Sequence, residues 1–287
     1  MSRAFNKLIH ACALGFGLLA TGAATSAATP PGARVITLAP HITELMFAAG
    51  AGPRIIATVA SSTFPSQATA LPRVGDGLHV NAEYLIGLKP THVLAWQKGG
   101  ATLTLAPVLA AMKIELAYVQ PADTMAIPEE VARLGTMFGT HKHAEEQAQN
   151  LRLRLQALRA RYAHRPPVSV LIEIGQTPPY TLGNDPLTND ALSYCGAVNI
   201  YANTKQVAPQ IQQEYVITHQ PDMILVPAGN PGIERQVSER WQALGLQAAR
   251  NQHVYRVDPD QLLRPGPRLV DAIEYICPLI DRVRQTQ

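Results

Sequence analysis

His41 stands directly after Pro40, at the end of the apolar, β-branched run RVITLAP. Open α/β sheets set ligand contacts at that end of a strand. A histidine there can touch a ligand or its metal, or it can cap and line the loop. His141 and His143 flank Lys142 in a polar segment. Spacing of two on a helix points their rings apart, so they read as a solvated face. Gly75-Asp76-Gly77 lacks the third glycine of a dinucleotide loop and reads as a turn. There is no Gly-x-Ser-x-Gly elbow, no phosphate loop, no His-Glu-x-x-His and no Cys-x-x-Cys. Neither a metal centre nor a nucleophilic enzyme is suggested by these residues.

Binding chemistry is better represented. Phe64, Trp96 and Tyr180 each follow an apolar β-type run, and they come from both halves of the chain. Aromatic rings converging on one cleft with few charges suit a large flat ligand. Each ring taken singly also fits an ordinary half-buried core position. Two glutamates stand out by repetition. EYLIGLKPTHVL begins at Glu83 and EYVITHQPDMIL at Glu214. Both read as a short helix, a proline-marked turn and a strand.

The surrounding elements alternate. RVITLAP, IIATVASS (55–62), HVLAW (92–96) and IELAYVQ (114–120) read as strands. Helical segments fall between them: HITELMFAAG, NAEYLIGL with Asn81 as N-cap, TLTLAPVLAAM, and a segment opened by Pro128. From His143 to Tyr162 no strand or breaker occurs, and Leu151, Leu155, Leu158 and Tyr162 recur at helical spacing. That predicts one long amphipathic helix of about 20 residues. Alternation then resumes with VSVLIEIG, MILVPAG and HVYRVDP as strands, and a C-terminal helix carries Leu269, Ile273, Ile276 and Ile280. Pro278 inside it is expected to kink or shorten it. The fold class is α/β: two Rossmann-like lobes with mostly parallel sheets, one long joining helix, and a ligand cleft between the lobes. The divisions are 29–142 for the first lobe, 143–165 for the connecting helix and 166–287 for the second lobe.

The first 28 residues follow a different plan. Arg3 and Lys7 precede an apolar run from Leu8 to Ala20, and small residues continue to Ala27 and Ala28. This is the order of a secretory signal peptide. Cys12 lies early in the apolar run and is not placed as a lipidated cysteine. The full chain carries a net charge of +3, so loss of Arg3 and Lys7 leaves the mature chain near +1. That balance gives no nucleic-acid footprint. The mature chain keeps Cys195 and Cys277. In an exported protein two such cysteines read as a disulfide or as separate buried thiols, and the compartment favours the disulfide.

With these features the chain resembles the periplasmic substrate-binding proteins of the helical-backbone class, which deliver metal chelates to ABC importers. Within that class it resembles the cobalamin binders. RVITLAPHITELMFAAG, LKPTHVLAW, IGQTPPYTLG, CGAVNI (195–200) and RPGPRL fall in family order across the mature chain. The resemblance implies a non-enzymatic, monomeric periplasmic carrier of cobalamin, with no cofactor of its own. It places Phe64, Trp96 and Tyr180 in the pocket, and His41, a departure from the family, is expected to contact the ligand or its metal. The late loop Asp260, Gln261, Leu262, Leu263 and Arg264 would line the site, with Asp260 and Arg264 hydrogen-bonding the corrin amides. It implies a Cys195–Cys277 disulfide. It also gives the repeat a meaning, because Glu83 and Glu214 match the two acids that pair with arginines of the permease dimer.

Three positions depart from the pattern. Gly77 and Ala208 stand where cobalamin binders carry tryptophan, and His41 replaces a small residue. Haem or a ferric siderophore is therefore the alternative ligand. An anionic siderophore calls for clustered cations, and chiefly Arg264 and Lys98 are on offer. An exported α/β enzyme is the competing class, and it requires a catalytic constellation that no motif here supplies.

Overall fold

The computed structural model describes residues 32–286. The expected signal peptide lies outside the described residues. The first lobe runs β1 (Val35–Thr37), α1 (Pro40–Ala48), β2 (Ile55–Ala57), α2 (Ala82–Gly87), β3 (His92–Ala95), α3 (Ala101–Ala111), β4 (Glu115–Tyr118) and α4 (Ala126–Phe138). Its four strands are parallel in the order β2-β1-β3-β4. Helix α5 (His141–Tyr162) follows, 22 residues long, which is about 33 Å at 1.5 Å per residue.

The second lobe continues with β5 (Val168–Ile174), β6 (Tyr180–Thr181), α6 (Pro186–Ser193), β7 (Ala197–Asn199), α7 (Gln213–His219) and β8 (Met223–Pro227). It ends with α8 (Pro231–Ala243), α9 (Gln247–Arg250), β9 (Val254–Val257), α10 (Pro259–Leu262) and α11 (Arg268–Arg284). Strands β7, β5, β8 and β9 are parallel neighbours in that order. Short β6 pairs antiparallel with the end of β5. Leaving β6 aside, both lobes share one winding: second strand, first, third, fourth.

Both sheets are covered on two faces, which accounts for their continuously apolar strands. Val35 and Leu94 of the first lobe, and Val170, Ile172 and Leu225 of the second, belong to one contiguous core. Leu151, Leu155 and Leu158 of α5 and Ile273 and Ile276 of α11 fill it between the lobes. The alternate strand residues point outward. Ile36 and Val93 meet Leu85 of α2, and Leu171 and Ile224 meet Val216 of α7. The repeated phrase is thus α2–β3 in one lobe and α7–β8 in the other, leading in each case into the third strand of the shared winding. Leu85 and Val216 occupy the same place in it, and both are fully buried.

Cys195, after α6, is bonded to Cys277 of α11 across 82 residues of chain. Pro278 neither ends nor shortens α11, which runs on to Arg284. The proline is exposed, so the missing backbone hydrogen bond falls on the side where water satisfies the carbonyl. Pro107 is accommodated in α3 in the same way. The long helix begins two residues earlier than its apolar periodicity indicates, at His141. His141, Lys142 and His143 form its exposed first turn.

Candidate ligand-binding site

At the carboxyl end of β1 the chain turns through Leu38 and Ala39 into α1, with Pro40 at its first position. His41 and Glu44 are three apart and so share a face of α1. That face points toward the second lobe rather than to solvent, and the two residues are 2% and 3% exposed. Glu44 receives a two-pronged ion pair from Arg268 at the start of α11, with Nη2–Oε1 at 2.6 Å and Nε–Oε2 at 2.9 Å. The Arg268 guanidinium carbon in turn lies 4.4 Å from the centre of the Phe64 ring. Hydrogen bonding to Glu44 raises the Arg268 pKa.

Arg264 reaches the same place from the second lobe. Its Nη2 is 2.5 Å from Asp260 Oδ1 and its Nη1 is 3.8 Å from Glu44 Oε1. Nη1 also donates to the Ser61 carbonyl oxygen at 3.4 Å. Asp260 and Gln261 lie on α10, whose first turn is capped by the Asp258 carboxylate accepting from the Asp260 amide. Gln261, Leu263 and Arg264 are half-buried at the lobe junction. Leu262 is not a wall residue. It is 1% exposed and packs in the common core, because its apolar side chain is the inward position of the short α10 turn.

Trp96 follows β3 and is 44% exposed. The His41 ring stands against it, centroids 5.2 Å apart and planes at 74°. His41 therefore belongs to the layer behind the wall and not to its surface, contrary to the expectation of open ligand contact. Its Nε2 is buried without a hydrogen-bond partner. Burial holds its pKa down at about 4, the Val119 carbonyl opposing and the Arg264 charge assisting. The imidazole is neutral at ordinary pH.

Phe64 is 45% exposed and Tyr180 is 43% exposed. Phe64, Trp96, His41, Asp260 and Arg264 are tied together through Glu44, Arg268 and the contact of His41 with Trp96. Tyr180 stands apart from this group, on β6, where its backbone bridges to Gln210. Ala208 is exposed in the adjoining loop. A cavity of about 290 Å³ opens beside Trp96, lined also by Leu38, Gly77, Leu78, Gln97 and Ala101. Gly77 has φ of +101°, and a Cβ placed there would stand 3.4 Å from the Leu38 carbonyl oxygen. Asp76 beside it accepts from the Leu78 and His79 amides, which closes the expected turn.

Sequence reasoning passed over Glu44 and Arg268, although Arg268 sits inside the quoted RPGPRL. The available signal was an acid within the apolar run ITELMF, since an unpaired carboxylate is rarely buried. The same signal marks Glu173 in VLIEIG. It is 1% exposed and takes hydrogen bonds from Trp241 Nε1 at 2.6 Å and Arg240 at 2.5 Å. Among the described residues no cluster of three or more metal-ligating side chains occurs, and no helix is long and apolar enough to cross a membrane. Glu83 and Glu214 are exposed in the first turns of α2 and α7.

The family model described as periplasmic binding protein matches residues 35–261. The chain is a periplasmic binding protein. This periplasmic binding protein is 32% identical over 247 residues to the vitamin B12-binding protein of Vibrio cholerae, covering 86% of its own chain and 88% of that relative. It is 34% identical over 244 residues to the vitamin B12-binding protein of Photorhabdus laumondii, at 85% and 86% coverage. The crystal structure of the periplasmic vitamin B12 binding protein BtuF of Vibrio cholerae superposes with a TM-score of 0.79 at 31% identity, covering 88% of this chain and 98% of that one. The periplasmic heme-binding protein RhuT from Roseiflexus has a TM-score of 0.75 at 23% identity over 87% and 98% of the chains, a likeness of fold alone. The family is one of solute binders, so the binding protein is not an enzyme.

Proposed function

We propose that this chain captures cobalamin, or a close corrinoid, in the periplasm and delivers it to an ABC importer. The observation that carries the reading is the likeness to vitamin B12-binding proteins along nearly the whole chain, at 32% identity over 86% of it. The site is compatible with that cargo. Phe64, Trp96 and Tyr180 offer half-exposed rings, and Asp260, Gln261 and Arg264 offer polar groups suited to amide side chains. Haem is the second arm of the test. The buried His41 disfavours it, since a ring 2% exposed is not presented to an incoming iron.

Delivery uses Glu83 and Glu214 as matched anchors on the two lobes. Each is an exposed acid at a topologically equivalent helix start, and carboxylate–arginine pairs give orientation as well as attraction. Titration calorimetry of the mature protein with cyanocobalamin, haem and a ferric hydroxamate tests the cargo. One-to-one binding of cyanocobalamin alone is the expected result. Binding of haem or the hydroxamate instead keeps the fold and overturns the cargo. Glu83→Ala and Glu214→Ala are expected to retain ligand affinity while lowering uptake in reconstituted vesicles, and unimpaired uptake in the double variant overturns the docking assignment.

A further inference from the structure

We infer that the outward face of α3 is a lipid-contact surface, on which the carrier rests against an anionic phospholipid bilayer whatever cargo it holds. The helix turns Leu105 and Leu109 into the core over the first sheet. Its outer positions form two exposed ridges at four-residue spacing. Leu103, Pro107 and Ala111 make one, and Thr104, Val108 and the C-cap residue Met112 make the other. Leu103 and Met112 are each more than half exposed. From Ala101 to Met112 no side chain is charged. A helix that is apolar all round belongs in a core or in lipid, and this one is covered on one side only.

The other lobe shows that the fold does not require such a face. Helix α8 leaves the third strand of its winding as α3 does. Its exposed positions include Arg235, Gln236, Glu239 and Gln242, and Arg235 pairs with Glu239. One place in the winding is thus charged in one lobe and bare in the other. The charges around α3 select its partner. No acid occurs from Tyr84 to Ile114, while Lys89, Lys98 and Lys113 are exposed. Among the described residues none of these lysines forms an ion pair. Lys98 and Lys113 flank the helix at its two ends. Lys98 precedes the positive end of the helix dipole, where the helix itself gains nothing from a cation. Asp76 and Glu115 are the acids at those ends, and they are engaged by the Leu78 and His79 amides and by His92. An uncharged strip of 11 residues, about 16 Å long and ended by lysines, fits a bilayer surface. The strip meets the acyl boundary and the ammonium groups meet the phosphates. A second copy of the chain laid on this face would bring lysines against lysines. Helix α2, which begins with the exposed Glu83, covers the same side of the sheet as α3, so lipid contact and the proposed importer contact share one layer of the lobe.

Flotation of the mature protein with vesicles of phosphatidylethanolamine and phosphatidylglycerol, against vesicles of phosphatidylcholine, tests the assignment. Reversible binding that prefers the phosphatidylglycerol vesicles and weakens with salt is expected. Lys98→Ala combined with Lys113→Ala should remove the preference, at about fivefold in partitioning per lysine. Leu103→Ser combined with Met112→Ser should lower binding to the anionic vesicles at least about tenfold. Both serine positions are exposed, so the melting temperature of that variant should match the wild type, which separates lost lipid contact from lost fold. Absence of vesicle binding at low salt, or equal binding by the wild type and the serine variant, overturns the proposal. So does a wild-type dimer in light scattering that the serine variant abolishes, since a second copy would then cover the face. Titration with cyanocobalamin is read separately and bears on the cargo alone.

Discussion

Glu44 is a single carboxylate with two duties. It ties α1 to α11 across the lobes, and through Arg268 it fixes the platform under Phe64. Removing one partner of a buried pair leaves the other unmatched, which typically costs about 3–5 kcal/mol. Glu44→Gln is therefore expected to lower the denaturant midpoint strongly and to weaken ligand binding by loosening Phe64. Retained affinity in a folded variant would separate the two duties. His41 gives the molecule a pH dependence. Its folded pKa of about 4 lies below the ordinary 6.5, so the unfolded chain takes up the proton first as pH falls. Stability is whole above pH 6.5 and declines between 6.5 and 4, in total by roughly 3 kcal/mol. Urea unfolding across that window measures the slope, and His41→Leu should flatten it. Trp96→Ala removes the ring shared by cleft and cavity, and about a tenfold loss of ligand affinity is expected in titration.

Among the elements, α5 and α11 carry the joint. Leu155 is fully buried in the core that both lobes share. Leu155→Ala should cost about 2–5 kcal/mol and still unfold in one transition, because neither lobe owns that core. The Cys195–Cys277 bond closes a span of 82 residues. Replacing both cysteines by alanine should lower stability by about 2–4 kcal/mol, read from the denaturant midpoint at unchanged ligand stoichiometry. Strand and helix order, the long helix and the doubled phrase were legible in the sequence, since period and proline placement are local signals. Leu262 was misplaced because a four-residue helix has no period to show which side faces inward. The pair of Glu44 and Arg268 was invisible for another reason. Its partners are over two hundred positions apart, and only folding reveals that each acid in an apolar run has found a cation. Phe64, Trp96 and Tyr180 could be singled out from the sequence, but the His41 ring behind Trp96 and the Arg268 guanidinium over Phe64 could not, and Tyr180 stands apart from both.

At the scale of the whole molecule, lobe movement is constrained from three sides: helix α5, the core around it, and the Glu44–Arg268 link. Closure on ligand should be small. Small-angle scattering of the mature protein is expected to give a radius of gyration of ~18 Å, the value for a chain of this size, both with and without cyanocobalamin. A marked compaction on binding would show that the joint hinges after all.

The winding shared by the lobes has a consequence for encounter. Glu83 and Glu214 stand at equivalent points of two similar bodies, so a carrier anchored through them is close to palindromic. A receiver with two matching halves cannot tell one end from the other by these contacts alone. If the proposed anchors act, either lobe can meet either half, which would double the productive approaches and be worth about 0.4 kcal/mol in association. The cargo, which has an upper and a lower side, would then arrive reversed in half of the dockings. Under that docking the transporter would have to accept it both ways up, or an asymmetric neighbour would have to choose. The stacked Tyr215 and His219 rings beside Glu214, 3.8 Å apart, are such a neighbour on one lobe only.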